Sequence, residues 1–130
     1  MATRSHIGML NKNGTVRGIY CHFDGHQVGR TLSENYTKRD KIDQLLDLGD
    51  LSVLGKEIGE KQDFDNFPVS NEKRNWCLAY GRDRDESDID ARIFKNEEEF
   101  LDKCKEDFTY LFKDEKWYYR RWNEKLKVFK

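Results

Sequence analysis

The sequence lacks several features that define large classes of protein. It contains a single proline, Pro68, and its uncharged apolar stretches are only a few residues long. A membrane-spanning helix needs about 20 consecutive and mostly apolar residues, so we expect no contact with a membrane. Residues 1–10 contain no apolar run of the kind found in secretory signals, which favours a cytoplasmic protein.

Neither sign of charge dominates the chain. There are 24 lysines and arginines against 25 aspartates and glutamates, which gives a net charge of −1. A DNA mimic is strongly acidic and a protein that binds the phosphate backbone is strongly basic, so both classes are disfavoured. The charges are nevertheless segregated, because residues 83–107 carry eleven acids and five bases, whereas residues 116–130 carry six bases and one acid. Such blocks pair with each other, oppose a charged partner or keep the protein in solution.

Familiar catalytic and metal-binding motifs are also missing. The three cysteines, Cys21, Cys77 and Cys104, form no Cys-x-x-Cys pair, and we expect reduced thiols that pack in the core. No phosphate loop, dinucleotide fingerprint, nucleophile elbow or zinc-protease motif occurs, so we expect no cofactor and consider an enzyme the weaker hypothesis. The acidic residues of 81–90 lack the glycine and the closing glutamate of a calcium loop. They form either a solvated loop or a surface for a basic partner.

The residues that are present indicate one compact domain. A chain of 130 residues is long enough for a single hydrophobic core and too short for two ordinary domains. Aromatic residues make up 13% of it and charged residues 38%. Aromatic side chains each bury a large apolar area, so they supply the core of an otherwise polar protein. We predict a domain over residues 1–130, whose basic tail at 123–130 either adds an edge strand or frays.

The N-terminal segment predicts a β-hairpin. Asn13-Gly14 is the strongest short-range signal for such a turn, because both residues tolerate positive φ. Pairing about this turn puts one set of side chains on the first face: Ile7, Met9, Val16 and Tyr20. The other face then carries His6, Leu10, Ile19 and Cys21.

Apolar spacing predicts three helices after this hairpin: one between Thr37 as N-cap and Gly49, one between Asp50 and Gly59, and one after Asn96 as N-cap. The loops are predicted at 23–30, 62–74 and 81–90, and short strands at 76–80 and 91–94. Alternating aromatic residues predict a second hairpin, of residues 108–112 with 117–122. The fold class is therefore α+β, with a mainly antiparallel sheet built from the N- and C-terminal hairpins and about three helices packed against it.

A polar cluster follows the first hairpin and offers metal ligands: Cys21, His22, Asp24 and His26. Cysteine, histidine and aspartate all bind first-row metals. Adjacent residues of a strand point to opposite faces, however, so Cys21 and His22 reach one ion only across a bulge. A thiol nucleophile at Cys21 with a neighbouring histidine as base meets the same objection. We favour a packed Cys21, and keep His22, Asp24 and His26 as candidates for binding a ligand or partner.

The second candidate is the aromatic-arginine segment, which comprises Trp117, Tyr118, Tyr119, Arg120, Arg121 and Trp122. Rings stack on nucleic-acid bases and guanidinium groups bind phosphates, so this pairing is typical of nucleotide and single-strand binding. The alternative is that alternate rings fill the core while the bases protect a strand edge. On a strand each face of the segment carries both rings and a base, so at least one tryptophan or tyrosine is expected at the surface.

The N-terminal half of the chain resembles a family of small hypothetical proteins encoded by bacteriophages and prophages. Three runs carry the resemblance: TRSHIGM at 3–9, NGTVR at 13–17 and IYCHFDG at 19–25. Shorter matches follow at 29–32, 35–36 and 48–52. In that family an arginine is more usual where His6 stands and a tryptophan where Phe23 stands. The likeness covers roughly the first 55 residues and returns in the C-terminal aromatic hairpin.

The resemblance implies a phage gene product that acts in the cytoplasm of a host bacterium. The family has no assigned activity, but small accessory phage proteins often bind and neutralise host factors. Our first hypothesis is therefore a non-enzymatic protein that engages and modulates a host bacterial protein, such as a component of antiviral defence. The alternative is a protein that sequesters a nucleotide or oligonucleotide on the aromatic-arginine segment. A metal- or thiol-dependent enzyme at residues 21–26 is the third hypothesis.

Overall fold

The computed structural model describes residues 3–22, 25–65, 75–122 and 124–129. Its strands are β1 (Ser5–Leu10), β2 (Val16–Cys21), β3 (Leu51–Val53), β4 (Leu78–Ala79), β5 (Arg92–Phe94), β6 (Phe108–Lys113), β7 (Lys116–Arg121) and β8 (Lys127–Val128). Its helices are α1 (Gly25–Asn35), α2 (Arg39–Asp47), α3 (Tyr80–Arg84) and α4 (Glu97–Lys103). The predicted α+β class is confirmed. In the part of the chain so described, no helix is long and apolar enough to cross a membrane.

The strands form one mixed sheet in the order β4-β3-β2-β1-β6-β7-β8. The central strand β1 runs antiparallel to β2 and parallel to β6. The outer edge of β2 is shared, since β5 pairs with its first half and β3 with its last residue, Cys21. Only the β1–β6 and β2–β3 pairings among the described strands are parallel, so the sheet is mainly antiparallel as predicted.

The first hairpin forms as predicted, but its predicted faces are wrong. Gly14 has a φ of +89° and donates to the carbonyl of Asn11 at 3.0 Å. The backbone N–H of Asn11 also donates to the carbonyl of Thr15 at 2.8 Å, so Asn11 and Thr15 close a loop of three residues, 12–14. A shift of one residue in register turns every side chain to the other face. The pairs across the hairpin are therefore Ile7 with Ile19, Ser5 with Cys21, His6 with Tyr20, and Leu10 with Val16.

The predicted loop at residues 23–30 is wrong from Gly25 onwards, because α1 begins there, and residues 23 and 24 lie outside the described part of the chain. Leu32 of this helix is fully buried in the main core. Gly29 allows the close approach of helix and sheet, since a Cβ there would lie 2.8 Å from a ring carbon of Tyr110. The glycine that suggested a loop is thus a packing residue.

The helix predicted for residues 50–59 is also wrong, because β3 occupies its start. Leu51 pairs with Cys21 of β2 on one side and with Ala79 of β4 on the other. Leu51 is buried by this strand pairing, whereas Leu54 and Ile58 lie outside the strand and pack against the core partly buried. Tertiary contacts here override local spacing, which is a weak determinant of structure over a few residues.

Several element boundaries differ from the predicted ones. Gly49 follows α2 with a φ of +77°, as expected of the residue that ends a helix. The N-cap position of α2 is Lys38, which makes no side-chain capping bond, so the predicted cap at Thr37 is wrong. The strand predicted at 76–80 shortens to β4, and α3 occupies the beginning of the loop predicted at 81–90.

The elements on the acidic side agree more closely with the prediction. Asn96 caps α4, since its side-chain oxygen accepts a hydrogen bond from the backbone N–H of Glu99 at 2.8 Å. The strand β5 lies within the predicted range 91–94. Phe100 of α4 packs into a notch made by two glycines, because a Cβ at Gly8 or Gly18 would lie 2.7 or 2.9 Å from its ring. These contacts fix α4 above the first hairpin.

The C-terminal hairpin is confirmed. Phe108 pairs with Arg121, and the tight turn contains Asp114 and Glu115 at φ of 52° and 60°. The tail adds an edge strand, because β8 pairs with Tyr118 and Tyr119 of β7.

The sheet buries a core on each face. Helices α1 and α2 cover the face that carries Ile7 and Tyr110. Helix α4 covers part of the opposite face, where Phe100 packs with Val16 and Leu111. Because α4 has only seven residues, the ends of the central strands on this face remain accessible beside it.

Candidate functional site

A pocket of about 370 Å³ opens on the α4 face of the sheet. We call it the histidine pocket, and its lining residues are His6, Tyr20, Asp50, Arg92, Phe94, Lys103 and Cys104. They come from β1, β2, the start of β3, β5 and α4 together with their flanks. The pocket therefore exists only once the sheet has assembled.

A row of three half-buried rings begins in the pocket with His6 and Tyr20, which line it, and continues beyond the lining to His22. His6 and Tyr20 are partners across the β1–β2 pair, and their ring centroids are 5.7 Å apart. His22 lies two residues beyond Tyr20 on the same face, with ring centroids 6.0 Å apart. The Tyr20 hydroxyl and His22 Nδ1 are hydrogen-bonded at 2.8 Å. We refer to these three side chains as the ring row.

Asp50 anchors the cationic side of the pocket. Its Oδ1 accepts a hydrogen bond from the backbone N–H of Tyr20 at 2.9 Å, and Arg92 Nη1 lies 3.4 Å from the same oxygen. Asp50 itself is only 7% exposed, whereas the Arg92 side chain is 54% exposed. The carboxylate thus positions Arg92 while most of its guanidinium donors remain available. Lys103, at the end of α4, is exposed and supplies a second cation.

Burial sets the protonation of the groups that line the pocket. Desolvation, aided by the positive charge of Arg92, lowers the pKa of His6 to about 4, so its imidazole is neutral at pH 7. His6 Nδ1 is buried and has no hydrogen-bond partner among the described residues. Burial raises the pKa of Tyr20, and it raises the pKa of the Cys104 thiol to about 12. Both groups therefore remain protonated, and the thiol is a poor nucleophile.

Two members of the aromatic-arginine segment, Trp117 and Arg120, are buried. Trp117 is 5% exposed, and its indole N–H donates to the backbone carbonyl of Tyr36 at 2.8 Å. Arg120 is 7% exposed and donates to the backbone carbonyls of Leu101 and Cys104 at the end of α4. Their prediction as surface ligands is corrected, because both side chains hold elements of the fold together.

The other members of that segment are more accessible. Tyr118 is half-buried beneath Lys113, whose Nζ lies 4.9 Å from the ring centroid. Tyr119 is half-buried and packs edge-on against Phe129, with 5.5 Å between the ring centroids. The prediction that at least one ring reaches the surface is confirmed by Trp122, which is 54% exposed.

Trp122 and Arg121 make the exposed end of β7. Arg121 is exposed, and its guanidinium carbon lies 5.4 Å from the centroid of the Phe108 ring. Trp122 follows at a φ of 53°, which turns the chain at the end of the strand. One exposed ring and one exposed guanidinium group therefore occupy consecutive positions of the chain.

The polar cluster at residues 21–26 is divided between the faces of the sheet. Cys21 is fully buried on the α1–α2 side, whereas His22 belongs to the ring row on the α4 side. Asp24 and the side chain of His26 lie outside the described part of the structure. Within the described ranges no three histidine, cysteine or acidic side chains come together to hold a metal ion.

None of the seven residues that line the histidine pocket was among the binding residues predicted from the sequence. Asp50 was assigned to a helix cap, and Arg92 and Lys103 were counted only as members of an acidic region. No local pattern marks them, since 42 residues separate Asp50 from Arg92. His6 is the one pocket residue that the predicted hairpin already brought near the polar cluster.

No protein-family model, curated protein or solved structure matches this chain. The function must therefore be inferred from the chemistry of its own surfaces.

Proposed function

We propose that this is a non-enzymatic binding protein that takes a small phosphorylated ligand in the histidine pocket. The observation that carries the proposal is the pair of cations, Arg92 and Lys103, that line one pocket with a single buried carboxylate. That carboxylate, Asp50, is already engaged by Arg92 and by a backbone N–H. The pocket therefore has surplus positive charge, which favours an anion.

A phosphoryl group suits the cations Arg92 and Lys103 better than an anion with a single charged atom would. A guanidinium group presents donors in a planar fork that binds phosphate oxygens in pairs, and an ammonium group adds a mobile charge. The volume of about 370 Å³ lies within the range of roughly 300–1,000 Å³ that is usual for small-molecule sites. Size and charge together favour a ligand no larger than a nucleotide.

Binding is favoured over catalysis by the state of the pocket's reactive groups. A covalent mechanism needs a deprotonated or activated nucleophile. The Cys104 thiol has a pKa raised to about 12, and the pKa of the Tyr20 phenol is also raised. Both are protonated at pH 7, so the pocket holds its ligand with donors and charge.

Calorimetry with inorganic phosphate and ribose 5-phosphate tests the proposal. We expect both compounds to bind, and Lys103→Ala to weaken binding about tenfold or more, as loss of a charge-assisted contact should. Lys105→Ala is the matched control, because this exposed lysine lies outside the pocket lining. Equal weakening by both substitutions, or no binding by the wild type, would contradict the proposal.

A second proposal concerns a macromolecular partner. The exposed indole of Trp122 beside the exposed Arg121 supports it, because tryptophan and arginine dominate the energetically important positions of protein interfaces. We propose that this end of β7 contacts a host bacterial protein in the cytoplasm, as the resemblance to phage proteins implies. This retains the first hypothesis from the sequence, confined to the two residues that are accessible.

Affinity capture from a bacterial cytosolic extract tests the second proposal. The wild-type protein should retain one stoichiometric partner, and Trp122→Ala should release it. Ile93→Ala is the control, because Ile93 is 64% exposed on a different strand, β5. Recovery of the same partner by all three proteins would show that Trp122 is not the contact.

A further inference from the structure

We infer that the ligand of the histidine pocket is a mononucleotide, whose base stacks on the ring row while its phosphate meets Arg92 and Lys103. The inference rests on the proposed function, since it names the class of phosphorylated ligand that this pocket takes. One ligand would then contact both the ring row and the two cations of the pocket.

The ring row does not belong to the hydrophobic core. The hydrophobic cluster on the α4 face consists of other residues, and it approaches the pocket through Phe94 and Cys104. His6, Tyr20 and His22 are each half-buried, so part of each ring is accessible. Neighbouring rings of the row are tilted by 59° and 56°, so a base stacks on one ring of the row at a time. Accessible aromatic rings on a sheet surface bind stacked bases, because every base has a π face.

The ring row offers hydrogen bonds as well as ring faces. The bonded pair of Tyr20 hydroxyl and His22 Nδ1 supplies polar points where β2 ends. A nucleobase carries both donors and acceptors on its edge and can use such points, whereas an apolar ring cannot.

The position of the Arg92 cation relative to the rings is fixed by strand pairing. Arg92 pairs with Gly18, which precedes Tyr20 by two residues on β2, so its side chain lies on the same face. The Asp50 carboxylate joins the two, because the same oxygen contacts the Tyr20 backbone N–H and the Arg92 guanidinium group. A phosphate at Arg92 is thus adjacent to a base on the row, as the two ends of one nucleotide require.

The surroundings of the pocket favour a single nucleotide over a longer strand. Helix α4 begins with three glutamates, Glu97, Glu98 and Glu99, and continues with Asp102. A second or third phosphate that extended along this helix would meet these carboxylates. Proteins that bind single strands instead follow the backbone with a continuous basic groove.

Titration calorimetry with AMP, UMP, ribose 5-phosphate and adenosine tests the inference. We expect the better of the two nucleotides to bind about tenfold or more tightly than ribose 5-phosphate, as the loss of one stacked base implies. Adenosine, which has no phosphate, should bind weakly. Equal affinity for both nucleotides and ribose 5-phosphate would overturn the inference and leave the proposed function standing. Failure of every phosphorylated compound to bind would overturn both.

Variants of the ring row separate stacking from a general loss of structure. Tyr20→Phe keeps the ring and should preserve the preference for the nucleotide, whereas Tyr20→Leu should bring its affinity down to that of ribose 5-phosphate. His22→Leu provides a second test at the end of the row, should Tyr20→Leu unfold the hairpin. If both leucine variants fold and keep the nucleotide preference, the base does not stack there and the inference is wrong.

Discussion

The Arg120 guanidinium group donates to the backbone carbonyl of Cys104 at 3.3 Å, and thereby joins β7 to the end of α4. The same group also donates to the carbonyl of Leu101. A cation at the C-terminal end of a helix satisfies carbonyls that have no partner within the helix. The side chain that the sequence marked as a phosphate ligand is therefore the cap of a helix.

This role predicts a large effect on stability for Arg120→Ala. Loss of the charge-assisted bonds to the carbonyls of Leu101 and Cys104 should lower the free energy of unfolding by about 2 kcal/mol. Urea denaturation followed by tryptophan fluorescence measures the change. Arg121→Ala is the matched control, because its neighbouring guanidinium group is exposed and should contribute less than about 0.5 kcal/mol. Equal stability of the two variants would refute the capping role.

The low pKa of His6 predicts a stability that falls with acid. The pKa is about 4 in the folded state and 6.5 in the unfolded chain, so the unfolded chain binds the proton first as the pH falls. The stabilisation is present above pH 6.5 and is lost progressively as the pH falls through 4, by about 3 kcal/mol in total. Urea denaturation between pH 7 and pH 4 should show a shallower decline for His6→Gln. An identical decline in the variant would contradict the burial of a neutral imidazole.

The notch beneath Phe100 predicts an intolerance of side chains at Gly8. An added Cβ would lie 2.7 Å from the Phe100 ring, whose exposed fraction is 0%, so the ring has little room to move. Gly8→Ala should cost about 1–3 kcal/mol of stability through overpacking. The cost should shrink in a Phe100→Leu background, where the ring is absent. Additive effects in this double-mutant cycle would mean that the two residues do not clash.

The stability of the fold should depend strongly on the carboxylate of Asp83. It is 7% exposed and accepts hydrogen bonds from the backbone N–H groups of Gln62 and Ala79, both at 2.9 Å. Asp83→Ala leaves these donors and the neighbouring Arg82 without their acceptor, and should cost about 3 kcal/mol or more. Asp90→Ala, at an exposed position, is the control. Thermal melts compare them, and similar melting temperatures would exclude the bonding role of Asp83.

The three thiols should be unreactive in the native protein. Cys21, Cys77 and Cys104 are buried, and burial raises the pKa of both Cys77 and Cys104. Ellman's reagent should therefore label none of them rapidly at pH 7 and all three in guanidinium chloride. Rapid labelling of any thiol in the native state would show that the core opens on the time scale of the reaction.

The sequence predicted well those elements whose signals are local. Asn96 accepts a bond from an N–H only three residues further on, so its capping role is legible in a short window. The aromatic alternation of 108–112 and the turn at Asn13-Gly14 are equally local. In contrast, the segment from Leu51 to Val53 becomes a strand because β2 and β4 lie on either side of it, and neither neighbour is adjacent in sequence.

By itself, the order of amino acids determined the α+β class, the two hairpins and the presence of both rings and arginines at the end of β7. Only the tertiary structure decided which side chains meet. One extra loop residue, Lys12, set the face on which His6 and Tyr20 lie, and strand pairing then brought Arg92 to Asp50. The physical reason is that turns and caps depend on neighbours within a few residues, whereas a pocket depends on distances between residues that only the assembled sheet brings together.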